Sequence, residues 1–186
     1  MKVKLYMREL YQLWSSALTE KQIKDILKIA HRKLNQKAKI FSADDSMQDI
    51  RSSKIRWISD EWIKNLLWEY VKKANVSAFN INVQNNAEIQ FTEYHSDQYD
   101  HYGWHHDIDW NGQILSDRKI SVTVQLSDVN EYVGGDFQFD EIKTNADFKS
   151  KGTVLVFPSY LRHRILPVTS GTRCSLVAWF SGPRWK

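Results

Sequence analysis

Several things are scarce in this chain. One cysteine, Cys174, stands in 186 residues, so no internal disulfide can form and the small secreted disulfide scaffold is excluded. Only three prolines and seven glycines stand against eight each of Trp, Tyr and Phe, which describes a packed, aromatic-rich body. No apolar run approaches the ~18 residues of a membrane span. Lys2, Lys4, Arg8 and Glu9 fall where a secretion signal needs uninterrupted apolar residues. What remains is ordinary globular composition, 42% hydrophobic and 26% charged, which excludes wholesale disorder. The length fits one domain with a sizeable core. A soluble, cytoplasmic protein with no membrane partner is expected, in a reducing interior and as a compact monomer.

The net charge of +4 is unevenly spread. Residues 1–76 carry 16 Lys and Arg against 9 Asp and Glu, and residues 77–186 carry 10 against 13. A basic first half can contact nucleic acid or another acidic partner. The plainer reading is that two amphipathic helices with lysine-rich wet faces account for it.

The periodicity of the chain changes once. Thr19 with Gln22 forms a capping-box pattern, after which Ile23, Ile26, Leu27, Ala30 and Leu34 recur at helical spacing. A second helix is expected from Ser59 or Asp60, with Trp62, Ile63, Leu66, Leu67, Tyr70 and Val71 as its apolar stripe. Residues 36–53 lack a period and read as a mobile loop, with a strand at Lys54–Trp57. From Phe79 the period is two. Strands are expected at Phe79–Val83, Ala87–Tyr94, Gly103–Asp109, Lys119–Leu126, Gly135–Phe139, Thr153–Phe157 and Thr172–Phe180. The predicted fold is α+β: helical support over 1–78, then a sandwich or jelly roll (double-stranded β-helix) over 79–186.

The chemistry concentrates in YDHYGWHHDIDW. On a strand, His105 and Asp107 point to one face and can converge on one ion, with Trp104 and His106 pointing away. His163, after the strand-like TVLVFP, is the leading third ligand. Two imidazoles and one carboxylate leave coordination positions open, as non-haem Fe(II) requires when it also binds a cosubstrate and dioxygen. Arg173 opens the last strand and shares a face with Ser175, Val177 and Trp179. A buried guanidinium there can hold a carboxylate through two parallel hydrogen bonds, with the Ser175 hydroxyl adding a donor. Cys174, on the other face, reads as outward packing. His31, His95 and His101 read as surface.

With FTEY, YGWHHD, SVTVQLSD, YVGGDFQF and VLVFPSYLRHRILPVTSGTRCSLVAWFSGP in order, the stretch from Ala87 to Trp185 resembles the Fe(II)/2-oxoglutarate-dependent dioxygenases, in their prolyl 4-hydroxylase-like branch. The resemblance implies that His105, Asp107 and His163 bind iron. It implies that Arg173 pairs with the distal carboxylate of 2-oxoglutarate and that Tyr94 donates to the same end. Gln125 matches a polar position near the cosubstrate. Tyr102 and Trp179 are expected at the pocket wall, and Trp110 at the substrate. The implied activity is hydroxylation of a peptide, protein or amino acid, with Fe(II), 2-oxoglutarate and O2 consumed in succinate and CO2 release, and ascorbate as a supporting reductant. The lids expected from polarity and length are the Tyr94–Gly103 segment and residues 36–53. Two other readings share the core. Nucleic-acid demethylases carry a second Arg six residues after the cosubstrate Arg, where this chain has Trp179. A non-enzymatic jelly-roll binding module would lack one of the four key residues, and all four are present.

Overall fold

The computed structural model describes residues 9–37, 51–110, 112 and 115–185. Two antiparallel sheets make up most of it. The larger runs in the order β1 (Gln12–Trp14), β10 (Val154–Pro158), β7 (Ser116–Gln125), β12 (Val168–Pro183), β5 (Ala87–His95), β4 (Lys54–Ile58) and β2 (Gln36–Lys37), with β8 (Tyr132–Gly134) also paired to β12. The smaller contains β3 (Arg51–Ser52), β6 (His101–His105), β11 (His163–Ile165) and β9 (Phe137–Phe139). Among the described residues, four strands therefore come from the first 78, which sequence periodicity assigns mainly to helices.

Both helices begin where their caps dictate. Thr19 and Gln22 form a reciprocal capping box at α1 (Glu20–His31), and Asp60 caps α2 (Glu61–Ala74) through the Ile63 amide at 3.0 Å. The first helix ends at His31, short of Leu34, which is exposed. Ile23, Ile26 and Ala30 of α1 and Ile63, Leu67 and Val71 of α2 pack on one face of the large sheet, against Ile120, Val122, Val124, Leu176, Ala178 and Phe180. Cys174 joins this packing. Its face is thus covered by helices rather than turned outward. The opposite face of the large sheet meets the small sheet, where Phe137, Phe139, Phe157 and Ile165 share a second cluster.

Three expected elements differ. Residues 80–86 form no strand after the π-helical turn Asn75–Phe79. The Asn75 side chain takes both the Ile81 amide, at 2.7 Å, and the Ile81 carbonyl, at 2.8 Å, so the backbone needs no strand partner there. The expected strand Gly135–Phe139 is shortened to β9, Phe137–Phe139, and the positive-φ pair Gly134 and Gly135 separates it from β8. The expected strand Gly103–Asp109 instead starts at His101 and ends at His105. Of the two segments read as lids, residues 38–50 lie outside the described residues, while 36–37 and 51–52 are strand. The turn between β5 and β6 is anchored by Asp100, a buried carboxylate that accepts from Ser52 Oγ and from the His95 amide.

Candidate metal centre

His105 and His163 are directly opposed residues of β6 and β11. Asp107 lies two residues past the end of β6, so strand alternation is not what aims it. Its amide donates to the Ser159 carbonyl at 3.0 Å, which turns the chain back over the site. The three ligand atoms lie within 4.8 Å of one another. Each imidazole Nε2 is 3.6 Å from an Asp107 oxygen.

The hydrogen bonds around this cluster fix its donor atoms. His105 Nδ1 faces the Gly103 carbonyl at 2.8 Å, and His163 Nδ1 faces the Leu161 carbonyl at 2.9 Å. A carbonyl only accepts, so both Nδ1 atoms carry the proton and both Nε2 lone pairs point at the centre. Ser121 Oγ donates to Asp107 Oδ2 at 2.6 Å and touches Ser159 Oγ at 2.9 Å. Burial pushes His163 down to about 4, more than the Asp107 charge restores. Burial alone would raise Asp107, but His163, His105 and the Ser121 hydroxyl together hold it well below the usual carboxylate range. Two imidazoles presenting Nε2 and an ionised carboxylate are the donor set that suits non-haem iron, with positions left for further ligands.

A pocket opens beside these residues. Arg173 lines it and is 3% exposed, directly opposite Tyr94 across β12 and β5. Its NH1 reaches Ser175 Oγ at 3.4 Å, and its Nε has no partner among the described residues. A buried cation with unspent donors fits a bound carboxylate. Gly135, at φ +61°, passes over it, and a Cβ there would lie 2.8 Å from Arg173 Cδ. Tyr102 lines the cavity stacked on His105, ring centroids 3.4 Å apart, and Trp179 forms another part of the wall beneath Arg118.

Other sequence-predicted positions fall differently. Gln125 is buried on the inward face but does not line the cavity; its amide donates to the Ser127 carbonyl and to Tyr132 Oη, each at 3.1 Å. Trp110 is 56% exposed and outside the cavity. Trp104 and His106 do turn away: Arg164 lies over the Trp104 ring, and His106 Nδ1 meets the Tyr160 carbonyl. His95 is not a free surface residue, since its Nδ1 contacts Thr172 Oγ1 at 3.1 Å. Sequence reasoning missed Ser121, Tyr132 and Arg51. The inward parity of a serine on β7 marks the first, and YVGG contains the second. Nothing in the aperiodic stretch marks Arg51.

Two sheets with a two-histidine, one-carboxylate centre between them define a non-haem iron oxygenase scaffold. Residues 89–181 match the family model of the 2OG-Fe(II) oxygenase superfamily, and the chain belongs to that family. The family implies Fe(II), 2-oxoglutarate and O2, and the donor set fits that metal. A PKHD-type hydroxylase of Idiomarina loihiensis is 29% identical over 94 residues, which are 50% of this chain and 41% of that protein. The match thus spans less than half the length of that curated relative. Among solved structures, a viral collagen prolyl hydroxylase from Paramecium Bursaria Chlorella virus-1 superposes with a TM-score of 0.70 at 18% identity, covering 94% of this chain and 97% of that one. A prolyl hydroxylase from Trichoplax adhaerens, solved with a hypoxia inducible factor peptide fragment, gives 0.69 at 16% identity, covering 91% and 82%. At these identities the likeness concerns the fold.

Proposed function

We propose that this chain is an Fe(II)- and 2-oxoglutarate-dependent hydroxylase of prolyl 4-hydroxylase type, acting on a peptide or protein and releasing succinate and CO2. The observation that carries the reading is the convergence of His105, Asp107 and His163 on one cavity whose wall holds the buried, underused Arg173. In this reading the two Nε2 atoms and an Asp107 oxygen hold the metal. Arg173 grips the distal carboxylate of 2-oxoglutarate, with the Ser175 and Tyr94 hydroxyls beside it. Bound iron supplies the redox chemistry that couples oxidative decarboxylation of 2-oxoglutarate to hydroxylation of a C–H bond. The protein orients the reactants and keeps bulk water out, with Tyr102, Phe137 and Trp179 as apolar wall. We read the two sheets as a double-stranded β-helix within a single domain over 1–186. The peptide held by the Trichoplax relative and the collagen named for the viral one support a peptidyl substrate.

The test is succinate release from 2-oxoglutarate with Fe(II) and proline-containing peptides. Wild type is expected to turn over, while Asp107→Ala and His163→Ala lose both turnover and metal binding. Arg173→Ala is expected to raise the 2-oxoglutarate requirement roughly ten- to hundredfold, the size of a lost charge-assisted pair, with metal binding retained. Turnover surviving in both ligand variants overturns the reading.

A further inference from the structure

One cation in the cavity has no task in that chemistry. Arg51, on β3, faces Tyr102 of β6 in the strand pairing and is half-buried. Its Nε donates to Ser53 Oγ at 3.0 Å and its NH2 to Gln90 Oε1 at 2.7 Å. Its guanidinium lies 4.5 Å from the centre of the Tyr102 ring, which itself stacks on His105. All three contacts are neutral. Arg56, Arg118 and Arg162 each meet a carboxylate, whereas among the described residues no Asp or Glu pairs with Arg51.

Formal charge makes the same point. Among the described residues, the charged side chains lining the cavity are Arg51, Arg173 and Asp107, a net of one positive charge, to which metal-bound imidazoles add none. Adding divalent iron and doubly charged 2-oxoglutarate leaves that total unchanged. Asp107 is matched to the metal and Arg173 to the cosubstrate, so the surplus belongs to Arg51. The Gln90 and Ser53 contacts and the Tyr102 ring hold the guanidinium plane in place, leaving NH1 and one NH2 hydrogen without a partner among the described residues. That is the fork that receives a carboxylate.

We infer that Arg51 determines substrate specificity by receiving a carboxylate, so the preferred substrate carries a negative charge near the residue that is hydroxylated. This rests on the oxygenase reading above. The charge belongs either to an acidic side chain of the peptide or to the α-carboxylate of a terminal or free amino acid, and the chemistry recognised is the same.

The probes are matched pairs: L-proline against prolinamide, and the blocked dipeptides acetyl-Pro-Glu-amide against acetyl-Pro-Gln-amide. Binding to the anaerobic Fe(II)/2-oxoglutarate enzyme is read by ligand-observed NMR for wild type, Arg51→Gln and Arg51→Lys. Wild type is expected to favour the carboxylate member of at least one pair roughly tenfold or more, and the pair that responds identifies the source of the charge. Arg51→Gln is expected to erase that preference while 2-oxoglutarate and metal affinities stay within about twofold. Arg51→Lys, which keeps charge but not the fork, should retain part of it. A wild type that holds metal and cosubstrate but shows no carboxylate preference, or binds neither member of either pair, overturns the Arg51 assignment alone. Preference persisting in Arg51→Gln does the same. A wild type that binds neither metal nor 2-oxoglutarate overturns both readings.

Discussion

Burial acts on Asp107 and His163 in one place and leaves both in the form a metal requires. For the imidazole, desolvation favours the neutral ring; for the carboxylate, neighbouring imidazoles and the Ser121 hydroxyl outweigh desolvation. Cys174 shows desolvation winning with little opposition. Packed beneath the helices, its thiol is pushed up to about 11, although Ser127 pulls the other way. The sign follows directly. Because the folded chain holds the proton more tightly than the unfolded one, this group's stabilisation is complete below the unfolded thiol's pKa, near 9, and is lost as pH rises toward about 11. The loss is at most about 2–3 kcal/mol. Urea unfolding at about pH 8 and about pH 10.5 should therefore show a steeper decline for wild type than for Cys174→Ala. Equal declines would show that the thiol is free to ionise in the native chain.

At the scale of elements, Arg173 depends on how β12 passes β8. Gly171 has φ +71°, and a Cβ there would meet the Glu131 carbonyl oxygen at 2.0 Å, a backbone atom that cannot swing aside. Gly171→Ala should cost more than ~2 kcal/mol, read as a lower denaturation midpoint, and should weaken 2-oxoglutarate binding because Arg173 lies two residues on. Unchanged stability would mean the strand crossing is looser than this geometry. Long elements like these were legible in advance. Ile120, Val122 and Val124 alternate with Ser121, Thr123 and Gln125, and the pattern gave both faces of β7 correctly. The Thr19 capping box placed a helix start to the residue. Strands of two or three residues, β2, β3 and β11, were not legible, because they exist through their partners rather than through any internal period. His105 and Asp107 were correctly paired as neighbours for a partly wrong reason, since the second reaches the centre through a bend held by Ser159. Arg51 stayed invisible because cross-strand placement, not spacing, brings it to the cavity.

The molecule as a whole separates support from chemistry across the thickness of one sheet. Val154 and Val156 of β10 face the helices, while Leu155 and Phe157 of the same strand face the site. Lysines on the wet faces of the helices are partly matched in exposed pairs such as Lys21 with Asp25 and Lys72 with Glu69, which contribute little to stability. What the helices contribute is apolar cover. Leu67 of α2 is fully buried against the sheet, and Leu67→Ala should cost about 2–5 kcal/mol through lost burial and the cavity it leaves. Nothing in its packing reaches His105, Asp107 or His163, so metal affinity of the folded fraction should be unchanged. Phe157 lies on the other side, its ring 4.9 Å from that of His163. Phe157→Ala should lower stability by about 3–5 kcal/mol and weaken metal binding as well, because the imidazole loses the wall that sets its orientation. Thermal denaturation with metal titration at a temperature where both variants remain folded separates the two. Equal loss of metal affinity in Leu67→Ala and Phe157→Ala would mean that the sheet transmits strain from the helices to the site instead of isolating it.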